Sequence, residues 1–348
     1  MSRVQPELSE TDLALIEALQ LRPRAPWSQI ASVIGIDATT AARRWRGLVD
    51  SGTAWMTAYP THHVTVVGYA DVACEADAID SLTSRLRRWG PVFSLERTTG
   101  DHQLFLSMAA RDLPALDDLT RHLGALPAVR GVRLNICTDV YGEGSGWLVH
   151  TLSDRQRSDL TGAERPARPR PGTGPSRSDR QLLLALGADA RRSHTELARE
   201  CGLSETTVRR RLRRMTSHGE IYFRCDLTQR LAGWPVIATF RIAAPGPGVD
   251  AVARALAALP ETRVCATLTG TDNILLSVWL RSPHDCAAME ERILRRHPGL
   301  KVSERGITLH TSKRMGRLLD RWGRAQEHVA LTAAPEGLEE RHATVSDT

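Results

Sequence analysis

The strongest constraint in this sequence is an internal repeat. Residues Thr11–Gly52 align without a gap with Ser178–Gly219, 167 residues later, and Thr99-Gly100 recurs as Thr269-Gly270, 170 residues later. Identical pairs in the first alignment include Asp12/Asp179, Leu15/Leu182, Leu19/Leu186, Ala31/Ala198, Gly35/Gly202, Thr39/Thr206, Arg43/Arg210, Arg44/Arg211 and Arg46/Arg213. Because both matching segments occur in the same order and at nearly the same separation, the chain is predicted to contain two copies of one unit of roughly 140 residues.

Composition excludes several classes of protein. The chain has 348 residues, 41% of them hydrophobic, which is enough for several ordinary globular cores. No apolar run approaches the roughly 18 residues of a membrane span, and the N-terminal segment lacks the apolar stretch of a secretion signal. The six cysteines show no short metal-binding spacing. We therefore expect a cytoplasmic protein with no membrane segment, disulfide framework or metal site.

The first half of each copy, residues 7–60 and 177–228, is predicted to be a DNA-binding helix-turn-helix domain. In copy two, helix starts are predicted by two capping boxes, Ser178-x-x-Gln181 and Ser193-x-x-Glu196, and by a further N-cap at Ser204. Helix ends are predicted by Gly202 and Gly219. Copy one has Pro26 at the second cap and Asp37 at the third. A helix, a short glycine turn and a second capped helix are typical of this motif. The residues after Gly219 alternate weakly and indicate a wing or strand.

The second half of each copy, residues 61–145 and 232–312, is predicted to be a ferredoxin-like βαββαβ domain. In copy two the strands and helices are expected at 236–242, 249–258, 262–269, 274–280, 284–296 and 300–310. The fold class is therefore α+β, with two tandem units that each join a winged helix-turn-helix to a ferredoxin-like domain. One face of such a sheet stays open, so we expect it to pair with the other copy in a pseudo-dimer, or with another chain in a homo-oligomer.

Two segments remain outside these domains. Residues 146–176 are predicted to be a linker, because the stretch from Leu160 to Ser176 is rich in proline, glycine and arginine. At its start, residues 147–160 are expected to add a strand and a short helix capped by Ser153 and Gln156. The tail, residues 313–348, is expected to be loose after about Gly323.

The third helix of each helix-turn-helix domain is the predicted DNA reader. On a helical wheel, Val208, Leu212 and Met215 point inward, as do Ala41, Trp45 and Leu48 in copy one. Guanidinium groups bind phosphates or pair with guanine in the major groove. The predicted DNA-contacting residues are Thr39, Arg43, Arg46, Ser204, Thr206, Arg209, Arg210, Arg213 and Arg214. Copy two is expected to be the stronger reader, since Glu205 and Arg209 replace Ala38 and Ala42.

Charge supports this prediction only weakly. The net charge of +6 favours a polyanionic partner such as double-stranded DNA. An arginine-rich helix is also compatible with a merely solvated surface, and arginine usage is compatible with codon bias. The stronger argument is the repeat, because the outward Thr-Arg-Arg triplet is the same in both copies while the inward residues differ.

The pattern resembles the Lrp/AsnC family of feast/famine transcriptional regulators. The resemblance rests on Leu197-Ala198-x-x-Cys201-Gly202-Leu203-Ser204-x-x-Thr207-Val208-x-x-Arg211-Leu212-x-x-Met215-x-x-x-Gly219-x-Ile221 and on the Thr269-Gly270 turn. It implies a DNA-binding regulator and a small-molecule effector, often an amino acid, bound between effector domains. By this resemblance the effector residues are Gly100, Asp101, His102, Gln103, Gly270, Thr271, Asp272 and Asn273. The family often has an acidic residue where Gln103 and Asn273 stand, so two ligand-free hairpin turns are an open alternative.

Other chemistry has less support in the sequence. No nucleophile elbow or phosphate-binding glycine loop is present, so no catalytic residue and no cofactor are predicted. His62-His63 has no third ligand at a local spacing and is interpreted as a surface pair, not a metal site. Two alternatives stay open: an enzyme similar to the sirohaem decarboxylases, which resemble fused or paired Lrp-type units, and a nucleoid-architectural protein without an effector. A non-enzymatic, sequence-specific regulator is the preferred prediction.

Overall fold

The computed structural model describes residues 8–60, 65–161 and 176–332. Copy one contains α1 (Glu10–Leu21), α2 (Trp27–Ile34), α3 (Ala38–Asp50), β1 (Ala54–Pro60), β2 (Val66–Cys74), α4 (Ile79–Leu86), β3 (Val92–Thr98), β4 (Leu104–Ala110), α5 (Leu113–Gly124) and β5 (Val129–Gly142). After α6 (Asp154–Thr161), copy two contains α7 (Arg177–Ala188), α8 (His194–Cys201), α9 (Glu205–Ser217), β6 (Ile221–Leu227), β7 (Val236–Ala243), α10 (Val249–Ala257), β8 (Thr262–Leu268), β9 (Ile274–Leu280), α11 (Asp285–Arg296) and β10 (Lys301–Arg314). The hairpin β11 (Arg317–Leu319) and β12 (Ala325–His328) follows. The predicted α+β order is confirmed in both copies.

The two helix-turn-helix domains share one hydrophobic core. Strands β1 and β6 pair antiparallel, from Ala54 opposite Leu227 to Pro60 opposite Ile221. Apolar side chains from α1–α3 and α7–α9 are buried in a single cluster around this ribbon. The wing strand of each copy therefore joins the two domains into one body.

The ferredoxin-like halves are joined by two long strands. β5 pairs with β2 of its own copy up to Ile136 and then with β8 of copy two from Cys137. β10 pairs with β7 up to Ile307 and then with β3 of copy one from Thr308. The order β3-β4-β2-β5-β8-β9-β7-β10 consequently closes on itself, with β11 and β12 attached to β10.

The open faces of the two sheets pack against each other inside this ring. Tyr69 and Phe105 of copy one are buried with Ala266, Leu268 and Leu275 of copy two. The predicted pairing of the copies is thus confirmed within one chain, as a pseudo-dimer.

The start of α7 corrects one predicted cap. The N-cap is Ser176, not Ser178, and Asp179 completes the capping box in place of Gln181. The Asp179 carboxylate accepts from the Ser176 amide at 3.1 Å and so moves the helix start two residues upstream.

Part of the predicted linker is structural. Trp147, Leu152 and Leu160 are buried in the helix-turn-helix core, and α6 begins as expected after Ser153, whose amide donates to Gln156. The expected strand is absent between residues 147 and 153, because side chains of α1 take the backbone amides: Glu17 accepts from Leu152 at 2.8 Å and Gln20 from Val149 at 3.0 Å. Residues 162–175 of the linker lie outside the described residues.

The expectation that the tail is loose after about Gly323 is wrong for residues 324–332, which form a hairpin with the residues before them. Gly316, with φ +80°, turns the chain from β10 into the β11–β12 hairpin, and Leu318 and Leu319 are buried. The Ala325 amide then donates to the Gly52 carbonyl at 2.8 Å, which anchors the hairpin to the end of α3. Residues 333–348 lie outside the described residues.

No helix in the described part of the chain is long and apolar enough to cross a membrane. Within the same residues, no group of three or more His, Cys, Asp or Glu side chains is arranged to hold a metal ion. His62 and His63 lie outside them.

Candidate nucleic-acid interface

The turns before the reader helices have the expected geometry. Gly35 and Gly202 end α2 and α8 in the left-handed region, with φ +76° and φ +65°. Asp37 and Ser204 then cap α3 and α9 by accepting hydrogen bonds from the amides of Thr40 and Thr207. Glycine is favoured at both turns for its backbone freedom alone, since an added Cβ would meet nothing within 4 Å.

The inward side of each reader helix is buried as predicted. Val208 and Met215 are fully buried in α9 and Leu212 nearly so, and the same holds for Ala41, Trp45 and Leu48 in α3. These side chains seat the helices on the shared core. The opposite side of each helix faces solvent.

The outward residues include most of the predicted DNA contacts. The exposed ones are Thr39, Arg43 and Arg46 on α3 and Ser204, Thr206, Arg209, Arg210 and Arg213 on α9. Within residues 8–60, 65–161 and 176–332, Arg43, Arg46, Arg210 and Arg213 make no ion pair or hydrogen bond. These four guanidinium groups and that of Arg209, which is also exposed, are therefore available to a partner, and helix wheels built from sequence placed them correctly on the outer side.

Arg214 differs from the other predicted DNA contacts because it is half-buried and ion-paired within its own domain. Its Nη2 lies 2.8 Å from Asp179 and 3.5 Å from Glu220, and its contact with DNA stays a prediction. Arg211 binds the other oxygen of Asp179 at 2.9 Å. Asp179 is only 2% exposed; burial opposes its ionisation, yet hydrogen bonds from Ser176 and Arg211 lower its pKa.

The role of Asp179 was missed in the sequence although its signal was present. The repeat alignment contains Asp12/Asp179 and Arg44/Arg211 as identical pairs. In copy one, Arg44 likewise lies 3.0 Å from Asp12. Each reader helix is thus tied to the first helix of its domain by an arginine that points away from the exposed arginines.

A reciprocal arginine clamp fixes the two helix-turn-helix domains relative to each other. Arg24 donates to the carbonyl oxygens of Ala190 and Arg192, the latter at 2.9 Å. Arg191, its counterpart in the repeat, donates to those of Pro23 and Ala25 at 2.7 and 2.9 Å. Burial lowers the pKa of both groups, that of Arg191 to about 10, and the charge of Arg24 lowers the pKa of Arg191 further. The separation of the reader helices is therefore built into the chain.

The two predicted effector turns lie at matching places on the ring. Gly100 and Gly270 have φ +105° and φ +103°. The Thr269 amide donates to Ile136 on β5 and the Thr99 amide to Ile307 on β10, so each turn rests on the strand that arrives from the other half of the ring.

The side chains at these turns are engaged unequally. In copy two, Asp272 accepts from Ser303 at 2.6 Å and Asn273 exchanges hydrogen bonds with the backbone of Ala244. In copy one, Gln103 accepts from the Cys74 amide, whereas the buried Nδ1 of His102 has no partner among the described residues. Asp101 and Thr271 are exposed.

A cavity of about 610 Å³ lies between α7, the β1–β6 ribbon and the sheet of copy one. Its wall is mainly apolar, with the charged or titratable residues Arg111, Glu143, Arg177, Arg180, Arg224 and His328. Burial lowers the pKa of His328 to about 4, so its imidazole is neutral at pH 7. Sequence reasoning missed this cavity, because its residues come from both copies and from the presumed tail.

Comparisons with known proteins identify both domain types twice. The profile of the AsnC-type helix-turn-helix domain matches residues 8–49 and 177–216, and that of the Lrp/AsnC ligand binding domain matches residues 68–146 and 237–318. A transcriptional regulator of Pyrococcus furiosus is 31% identical over 136 residues, which cover 39% of this chain and 92% of the relative. One from Pyrococcus abyssi is 32% identical over 139 residues, covering 39% of this chain and 86% of the relative.

Solved structures also match the whole tandem arrangement. One of them is a siroheme decarboxylase in complex with an iron-uroporphyrin III analogue. The match has a TM-score of 0.61 and covers 97% of this chain and 100% of that one, at 13% sequence identity. At this identity the likeness extends to the fold alone.

Proposed function

This chain belongs to the Lrp/AsnC family, whose relatives are DNA-binding transcriptional regulators, and we propose that it binds one DNA site with both of its reader helices. The observation that carries the proposal is the selective exposure of arginines. Arg43, Arg46, Arg210 and Arg213 project to solvent, while Arg44 and Arg211 of the same helices are tied to aspartates. Free guanidinium groups on a helix that follows a tight turn are suited to phosphates and guanine edges.

Two readers on one chain favour binding to paired half-sites. The β1–β6 ribbon and the Arg24–Arg191 clamp hold α3 and α9 in one body. Binding of the first reader then places the second at a high effective concentration, so affinity rises without any new contact. Copy two contributes more of the binding, since Arg209 adds a third exposed guanidinium to α9 where α3 has Ala42.

The test measures the affinity of full-length variants for a duplex that the wild-type chain selects from a random library. Arg210→Ala and Arg213→Ala are each expected to weaken binding by about 1–3 kcal/mol if the side chain pairs with a base. Arg43→Ala is expected to weaken it less. Arg295→Ala is the matched control, because it removes an exposed arginine of α11, far along the chain from either reader.

Two outcomes would refute the reader assignment: unchanged affinity in both α9 variants, or an equal loss in Arg295→Ala. The logarithm of the affinity is also expected to fall linearly with the logarithm of salt concentration, by about 0.9 per phosphate neutralised. A long footprint with little dependence on sequence would instead indicate an architectural DNA-binding protein.

We propose the turn of copy one, Gly100–Gln103, as the position of a small-molecule effector such as an amino acid. At the copy-two turn, the Asn135 amide nitrogen lies 3.0 Å from where a Cβ on Gly270 would be, so that turn is closely covered. At the copy-one turn the nearest atom to the same position is the Glu304 carboxylate at 4.0 Å, and His102 has an unpartnered nitrogen. Space and a free polar atom therefore favour the first turn.

An amino-acid panel tests this proposal by thermal shift. A ligand that raises the melting temperature of the wild type is expected to lose its effect in His102→Ala and to keep it in Thr271→Ala. The reverse order would assign the effector to the second turn, and a panel without any shift would oppose an amino-acid effector.

A second candidate is a tetrapyrrole-binding enzyme, which the cavity favours. Arg111 and Arg177 suit the carboxylates of such a ligand, and the neutral His328 has an Nε2 without a partner among the described residues. Titration of the purified chain with iron uroporphyrin is the direct test. An absorbance change that is abolished by His328→Ala would support this candidate, whereas a spectrum equal to that of the free compound would exclude it.

A further inference from the structure

Four charged residues meet where the two ferredoxin-like halves cross. Asp71 on β2 and Arg133 on β5 belong to copy one, and Arg241 on β7 and Glu304 on β10 belong to copy two. We call them the axis tetrad. Asp71 and Arg241 are 7% and 3% exposed, so part of the tetrad is deeply buried.

The tetrad consists of two pairs that occupy equivalent positions in the two copies but have their acidic and basic residues exchanged. Asp71 stands directly opposite Arg133 in the β2–β5 register, and Arg241 directly opposite Glu304 in the β7–β10 register. The repeat relates Asp71 to Arg241 and Arg133 to Glu304. Each position that is acidic in one copy is therefore basic in the other.

The contacts across the axis join equivalent positions. Arg241 donates to Asp71, and the Arg133 Nη2 lies 2.5 Å from Glu304. Within copy one, the Arg133 Nε lies 3.0 Å from Asp71. The charges consequently alternate along the row Glu304, Arg133, Asp71 and Arg241, and Arg241 also donates to the Asn135 side chain at 3.0 Å.

Pairing of like halves would reverse this complementarity. If two chains exchanged partners and copy one paired with another copy one, Asp71 would face a second Asp71 and Arg133 a second Arg133. A pair of second copies would likewise oppose arginine to arginine and glutamate to glutamate. Like charges held together in a partly buried interface are strongly unfavourable.

Two other contacts between the copies do not discriminate in this way. The Arg24–Arg191 clamp uses the same residue type and backbone carbonyls on both sides, so two first copies would form it equally well. The β1–β6 ribbon is held by backbone hydrogen bonds. Neither the clamp nor the backbone pairing of the ribbon distinguishes an unlike pair of copies from a like pair.

We propose that the axis tetrad is a specificity determinant that restricts pairing to one first copy with one second copy. At the axis, each half is complementary to a half that carries the opposite charge at each of the two positions. The other copy in the same chain is such a half. Selection of this kind depends on the repulsion in the wrong pairs as much as on the attraction in the right one.

Two double variants of the full chain test the proposal. Variant A, Asp71→Arg with Arg133→Glu, gives both halves the polarity of copy two. Variant B, Arg241→Asp with Glu304→Arg, gives both halves that of copy one. Each alone opposes like charges at its own axis, but every half of A complements every half of B. Coexpressed with different tags, A and B are expected to copurify as a one-to-one exchanged dimer, more than about tenfold above the capture between two wild-type chains.

A fourfold variant with all four charges reversed provides the rescue. It restores complementarity within one chain and is expected to recover the melting temperature and the mass of the wild type, whereas A and B alone melt lower. The rescue also decides the matter if A and B do not fold separately. A fourfold variant as unstable as A and B would overturn the proposal, as would capture between wild-type chains equal to that between A and B. DNA binding is not read in this experiment, so its result is independent of the proposed function.

Discussion

Lys313 shows how a single residue can be fully buried without a counter-charge among the residues that the structure describes. Its side chain is inaccessible to solvent, and its Nζ donates to the Trp89 carbonyl at 2.8 Å. Burial lowers its pKa from 10.5 to about 7. The neighbouring His328, with a pKa of about 4, is uncharged in this range and does not titrate with it. Lys313 therefore opposes folding whenever it must carry its charge.

We expect Lys313→Met to stabilise the protein at pH 7, by an amount that shrinks as the pH rises. Between pH 7 and 10.5 the unfolded chain binds the proton more tightly than the folded chain does, so the wild type gains stability with pH across this window and the variant does not. Each pKa unit corresponds to about 1.4 kcal/mol, which over this shift exceeds the roughly 1 kcal/mol of one hydrogen bond.

Denaturant unfolding at pH 7 and pH 9.5 measures this difference. Lys301→Met is the matched control, because Lys301 is the other lysine of the sequence and is exposed. A Lys313→Met variant that is less stable than the wild type by the same amount at both pH values would contradict the explanation.

At the scale of elements, periodicity predicted which side of each helix is buried but not what the flanking residues bind. The wheel placed Val208, Leu212 and Met215 correctly, since helical geometry alone sets their direction. It did not predict the ion pair of Arg214 with Asp179, because Asp179 lies in another helix and no local pattern contains that distance. The crossing of β5 from β2 to β8 was not predicted for the same reason. The closed ring depends on pairings between residues far apart in sequence.

The arginine clamp leads to a prediction about how the two reader helices bind DNA together. Arg24→Ala combined with Arg191→Ala removes four side-chain bonds to backbone carbonyls between the helix-turn-helix domains. Each reader remains intact, but their separation is less fixed. We expect the affinity for a single half-site to change little, and the affinity for a duplex with both half-sites to fall by about tenfold or more, because effective concentration depends on geometry.

Anisotropy titrations with one-site and two-site duplexes distinguish these effects. Arg192→Ala serves as the control, since this neighbouring side chain contacts its own copy through Glu200. An equal loss on both duplexes would mean that the clamp supports the fold of each reader and does not set their spacing.

At the scale of the whole molecule, the pseudo-twofold arrangement presents two related but unequal readers. α9 carries Glu205 and Arg209 where α3 carries Ala38 and Ala42, and their shared residues are Thr, Arg and Arg. The two helices therefore share some of their expected DNA contacts and differ in others. A homodimer of single units has no such distinction.

We expect the preferred duplex to contain two unlike half-sites. Palindromes built from either half-site should each bind more weakly than the selected duplex, by about 1–3 kcal/mol per unfavourable base pair. Arg209→Ala should reduce the difference between the duplexes, because it makes α9 more similar to α3. Equal affinity for the selected duplex and for both palindromes would show that the readers are interchangeable.

The crossing strands β5 and β10 also bear on how such a protein changes over generations. In an assembly of identical subunits, every mutation at the symmetry axis appears on both sides at once, so a new side chain must tolerate its own image. Here the two sides of the axis are encoded separately, and a mutation enters once. Duplication within one chain thus opened the centre of the molecule to combinations of residues that no self-paired ancestor was able to sample one step at a time.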